Sequence, residues 1–145
     1  MLFALEPDVG ALPVRFGMPR EEVRRVLGPE PPVVKKLFIT QRERDTFLAV
    51  GAHVYYRDAD VCEAVELFAP ATPTFRGVPL LGRPLSDVAA WLRGLDPSAS
   101  MSPTGIRSRR FGLACYVPNA VEARDAPVEG VLCFERGYFE RHGVT

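Results

Sequence analysis

Residues 17–28 read GMPREEVRRVLG and residues 82–94 read GRPLSDVAAWLRG. This repeated phrase limits what the chain can fold into more than any other feature. Aligned on Gly17 and Gly82, Pro19 meets Pro84, Glu22 meets Asp87, Val23 meets Val88, Val26 meets Trp91 and Leu27 meets Leu92. Each copy has the parts of a helix start. Proline suits the first turn, where its missing N–H leaves no bond unmade, and an acid follows where the helix dipole favours negative charge. Met18, Val23, Val26 and Leu27 recur at helical spacing, as do Leu85, Val88, Trp91, Leu92 and Leu95. Gly28 and Pro29 stop the first helix. Arg20, Arg24 and Arg25 fall on its polar side and read as solvated.

The surroundings repeat as well. Each phrase follows a short extended piece, ALPVRF at 11–16 and FRGVPLL at 75–81, and each is followed by two strand-like segments. After the first come AHVYY at 52–56 and VCEAVELF at 61–68, rich in β-branched and aromatic residues and separated by the turn-like RDAD. They read as an antiparallel hairpin. After the second come RRFGLACYV at 109–117 and VEGVLCFERGYF at 128–139. PEPPVVKK at 29–36 reads as an extended linker, LFITQRERDTFLAV as two strands around a charged turn, and DPSASMSPTG at 96–105 as a loop. The expectation is an α+β fold in one domain spanning residues 1–145. Two strand-helix-strand-strand units, about 11–69 and 75–139, would place two helices on one face of an antiparallel sheet, with either internal duplication or the general grammar of helix starts as the origin of the repeat.

Charge narrows the classes of partner. Lys plus Arg and Asp plus Glu number 18 each, so the molecule lacks the basic excess that phosphate neutralisation requires, and no nucleic-acid partner is expected. RSRR at 107–110 reads as a solvated strand edge. The apolar runs fall well short of the roughly 20 residues that span a bilayer, and MLFALEPDVG has no basic region before its apolar stretch. No membrane association is expected, and the expected location is cytoplasmic. Cys62, Cys115 and Cys133 are odd in number with no C-x-x-C pair, so they read as buried thiols rather than a disulfide framework.

Spacings for catalysis are sparse. The histidines are His53 and His142, no metal-ligand spacing occurs, and the Gly17 phrase has neither a Gly-rich loop nor a phosphate lysine. No catalytic residue, cofactor or metal is assigned. The acids of the hairpin are the more informative feature. Asp58 and Asp60 occupy its turn, while Glu63 and Glu66 lie in an apolar strand, three apart and so on opposite faces of a regular strand. Glu66 needs a partner, and Arg107, Arg109 or Arg110 could supply it, with Glu66 and Arg109 taken as structural polar residues. Tyr55, Tyr56, Asp58, Asp60 and Glu63 form the candidate contact surface for a protein partner, an acidic patch suited to a basic active site. Two other readings stay open. One is a small enzyme or ligand-binding domain with His53, Glu66 and a cysteine converging in a pocket, and the other is a scaffold subunit that homodimerises through a sheet edge.

GMPREEVRRVLGPEP resembles the G-M-[ST]-x-x-[EQ]-V-x-x-x-L-G-x-P opening of the small bacterial BamE-like domains. The tandem arrangement is similar to that of the β-lactamase inhibitor proteins, built from two related helix-plus-sheet units. These resemblances imply helices packed on a compact antiparallel sheet. GAHVYYRDADVCEAVELF followed by GVPLLGRPLSDVAAWLRGLDP resembles small bacterial immunity proteins of polymorphic or contact-dependent toxin systems. That likeness implies a non-enzymatic protein that binds one toxin domain and blocks its active site.

Overall fold

A computed structural model describes residues 1–37 and 42–143. The first half runs β1 (Leu2–Glu6), β2 (Gly10–Leu12), β3 (Val14–Arg15), α1 (Arg20–Leu27), β4 (Val33–Lys36), β5 (Glu43–Phe47), β6 (Ala52–Arg57) and β7 (Val61–Phe68). The second runs β8 (Thr72–Phe75), β9 (Val78–Pro79), α2 (Leu85–Leu95), β10 (Ser100–Ser102), β11 (Gly105–Ser108), β12 (Leu113–Tyr116), β13 (Gly130–Phe134) and α3 (Tyr138–Arg141). Both phrases do form helices. Their prolines sit at the N-cap, one residue earlier than the first turn: the Pro19 carbonyl accepts from the Glu22 and Val23 N–H groups, and Pro84 serves Asp87 and Val88 in the same way.

The α+β expectation is overturned. Strands hold 42% of the residues and helices 17%, in sheets of five and eight strands with three short helices, so the protein is mostly β. The strands that tip the balance lie where the sequence reads as linker or loop. PEPPVVKK contains β4 and the 96–105 loop contains β10 and the first residue of β11, while the N-terminal ten residues, to which the sequence reading gives no element, hold β1 and the start of β2. The expected last strand, 128–139, ends at Phe134 and gives way to α3. β5 begins inside the polar centre QRERD, at Glu43, while the FIT of the expected strand before it, residues 38–40, lies outside the described residues.

The larger sheet has the order β10-β11-β12-β13-β7-β6-β5-β4 and is antiparallel throughout. It is two four-strand meanders joined where β13 pairs with β7. The smaller sheet, β3-β2-β1-β8-β9, joins the two halves again by a parallel pairing of β1 with β8. In β1 alternate residues Phe3 and Leu5 are buried, as a strand with one covered face requires. These side chains, with Ala11 and Val14, meet Val23 and Leu27 of α1, Leu85, Val88 and Leu92 of α2, and the inner-face residues Val54, Val65, Leu67, Leu113, Cys115 and Val131 in one core. Burial of each large aliphatic side chain there contributes about 1.5–3 kcal/mol.

The two helices therefore share the cover of the inner face with the smaller sheet. β2 lies over β7 and β13, α1 on β7 and α2 on β11. On the outer face a smaller cluster of Ala64, Ala114, Leu132 and Phe134 is partly roofed by Tyr138 and Phe139 of α3. The β4 edge exposes Val33 and Val34, but Lys35 and Lys36 put on it the charge that discourages edge-to-edge pairing. No helix among the described residues is long and apolar enough to cross a membrane.

Candidate functional site

The β6–β7 hairpin carries polar groups on both faces, and a β-bulge sorts them. Tyr55 pairs with Ala64 but Tyr56 with Cys62, so Glu63 is the extra residue on β7. A bulge re-aims the side chains beside it. Cys62 and Val65, three apart, both enter the inner core, while Ala64 and Glu66 belong to the outer face with Tyr55. Glu63 turns toward the outer-face helix α3, where it meets Arg141 and His142. The expectation that Glu63 and Glu66 face opposite ways is thus corrected, because it assumed a regular strand.

On the inner side Tyr56 is 3% exposed, so it is a core residue and not the exposed contact expected of it. Its hydroxyl donates to Asp45 at 2.8 Å. Burial first, and then that carboxylate, push the phenol well above its ordinary value. Asp45 is itself fully buried and also accepts two bonds from Arg24, at 2.9 and 2.8 Å. Arg20 lies 4.4 Å from the Tyr56 ring centre and ties α1 to the turn through Asp60 at 2.6 Å. Arg20 and Arg24, read as solvated, are instead the counter-charges that let a carboxylate enter the core.

At the bulge Glu63 is almost wholly buried. It accepts from Arg141 at 3.1 Å and meets His142 Nε2 at 2.8 Å. Arg141 also donates to Glu135 at 2.9 Å, which takes a second bond from Arg57 at 2.7 Å. These groups line a groove of about 1000 Å³, with Arg136 paired to Asp8 at 3.0 Å and Arg42 to Asp58 at 2.5 Å along its sides. Each charge in the groove has its opposite on the same chain.

The outer face is arranged differently. His53 and Glu66 are direct cross-strand partners, with Nε2 and Oε1 3.9 Å apart. The His53 ring packs 4.7 Å from Phe68, and its Nδ1 lies 2.8 Å from the Thr46 hydroxyl. Burial first, then Arg44 and Lys35, hold its pKa down to about 4. Burial raises that of Glu66, whose nearest donor is the Tyr55 hydroxyl at 3.4 Å. A shallow hollow of about 370 Å³ opens here between Phe68 and Tyr116, with Glu66, Glu129 and Gly130 among its walls. No lysine or arginine among the described residues forms an ion pair with Glu66 or Glu129.

Several sequence readings separate at this point. His53 and Glu66 come together, but no cysteine joins them: Cys62, Cys115 and Cys133 lie in the inner core, where burial pushes the first two thiols up to about 12. Arg109 does not serve Glu66; it pairs with Glu140 at 3.6 Å and lies over the Phe139 ring. Tyr55 is half-buried on the outer face, and Asp58 and Asp60 are exposed at the turn. Phe68, Tyr116 and Gly130 have no local signal in the sequence because strand register brings them together, and Glu135 and Arg141 have none because they meet only where α3 folds back beside β7. Among the described residues no group of three or more His, Cys, Asp or Glu side chains is placed to hold a metal ion. No protein family, curated protein or solved structure matches the chain.

Proposed function

We propose that the chain is a non-enzymatic binding protein of the immunity or inhibitor type, which occludes a toxin or enzyme by protein–protein contact inside the cell. The observation that supports this reading is the outer face between β6 and β12. There Tyr55, Phe68 and Tyr116 are only half-buried, beside the carboxylates of Glu66 and Glu129 that no arginine or lysine of the described chain pairs with. Aromatic side chains concentrate the energy of interfaces because they bury much area at little entropic cost. Carboxylates without an internal counter-charge favour a basic partner surface, as a nuclease active site presents. Asp58 and Asp60, matched by Arg42 and Arg20, contribute at the rim, where charge governs association rate more than affinity.

Co-expression with the product of the adjacent gene tests the reading. The expected result is a complex that survives size-exclusion chromatography, protection of growth against that product, and association slowed severalfold in the double variant Asp58→Lys, Asp60→Lys with dissociation little changed. A chain that binds no neighbour-encoded protein, and whose deletion leaves cells indifferent to it, is not an immunity protein.

A further inference from the structure

Phe68, Gly130 and Tyr116 are direct cross-strand neighbours on β7, β13 and β12, so the three stand in a row on the outer face. With strands about 4.8 Å apart, the backbones that carry the two aromatic residues stand about 9.6 Å apart across the glycine. A flat group held between two rings at contact distances of about 3.5 Å on either side needs about 7 Å. Gly130 adds no side chain to the hollow that Phe68 and Tyr116 line. A Cβ there would stand 3.7 Å from Cδ2 of Tyr116, on the floor of the slot.

The charged side chains that line the hollow are carboxylates, Glu66 and Glu129. Aromatic ring faces are electronegative. Glu66 lies two residues along β7 from Phe68, and Glu129 directly precedes Gly130. The histidine beside Glu66 is neutral near pH 7. Arg44 is close enough to be felt by Glu66 but makes no ion pair with it. Glu63 and Asp45, by contrast, each already hold an arginine. A planar cation satisfies width and charge together. Guanidinium is planar, stacks on rings and pairs with carboxylates through a rigid fork, which an ammonium does not.

We propose that this slot receives the guanidinium of an arginine side chain presented by a protein partner, sandwiched between Phe68 and Tyr116 with Glu66 and Glu129 as its counter-charges. The inference rests on the binding-protein reading for its occupant, but its test needs no partner. The full chain is titrated with Nα-acetyl-arginine methylamide and with the neutral isostere Nα-acetyl-citrulline methylamide, while the Gly130 amide and the Tyr116 and His53 ring signals are followed by NMR. The arginine compound is expected to give saturable shifts at these positions, and the citrulline compound to bind at least about tenfold more weakly. Glu66→Gln with Glu129→Gln should weaken the arginine compound by a similar factor. Gly130→Val, a β-branched residue suited to a strand, should abolish binding with both acids intact and the remaining amide spectrum unchanged. Equal binding of the two compounds, absence of saturable shifts, or arginine binding that survives Gly130→Val overturns the proposal. An intact slot in a chain that binds no neighbour-encoded protein overturns the inhibitor reading alone. A partner bound with undiminished affinity by the Gly130→Val protein overturns the slot alone.

Discussion

At the scale of single residues, His53 and Glu66 couple the outer face to pH in opposite senses. The folded state holds His53 near 4 against an ordinary 6.5. Its neutral form is therefore the favoured one, and its contribution is complete above about pH 6.5 and lost as pH falls toward 4. Its side chain is 22% exposed, so after allowance for solvent screening the loss is about 1–2 kcal/mol. Glu66 is raised by burial. The folded state takes up its proton before the unfolded state does, so acidification favours the fold through that group. In urea denaturation followed from pH 7.5 to 4, His53→Asn is expected to flatten the acid limb of stability and Glu66→Gln to steepen it. Identical limbs in all three proteins would remove both assignments. The need of Glu66 for a partner was legible in the sequence, since a carboxylate flanked by Val65 and Leu67 cannot stand unsupported. The partner was not, because Tyr55 and His53 reach it only through a cross-strand register.

At the scale of elements, α3 depends on what it touches. A four-residue helix has no stability of its own. It is held by Phe134 against Tyr138 and Phe139, and by the grip of Arg141 and His142 on Glu63. Arg141→Ala is expected to speed amide exchange in residues 138–143 by at least about tenfold while exchange in β7 and β13 stays near its original rate. Exchange unchanged in α3, or raised equally in the sheet, would show that the ion pair does not fasten it. Element type was readable where the signal is local. The helical spacing after Pro19 and Pro84, and the β-branched and aromatic content of AHVYY and VCEAVELF around a turn-like RDAD, each identify their element without help from the rest of the chain. β4, β10 and β11 are short, rich in serine or next to proline, and become strands only because a neighbouring strand satisfies their backbone. The bulge at Glu63 has no local signature at all, so the spacing rule that holds for a regular strand does not give the faces of Glu63 and Glu66 here.

For the whole molecule, two helix-like phrases proved a poor guide to class, since helices that bury a few residues each are outweighed by two sheets. The larger sheet crosses from one half to the other at β7–β13, the smaller at β1–β8, and one core runs from Phe3 to Leu92 beneath both. Unfolding is therefore expected to be a single transition, with the near-ultraviolet signal of Trp91 in the second half coinciding with the far-ultraviolet signal of the sheets. Separated midpoints would mean the halves are independent. The parallel β1–β8 pairing also has a consequence in time. Leu2–Leu5 align with Thr72–Phe75, and the Met1 carbonyl accepts from the Thr72 N–H. During synthesis β1 emerges roughly seventy residues ahead of β8, an interval of roughly 4–14 s at ordinary translation rates. Through that interval β1 can pair with β2, but such a hairpin is marginal alone, and Phe3 and Leu5 wait uncovered. The nascent chain thus carries an open apolar edge early, and the strand that closes it arrives only after the first meander has been made.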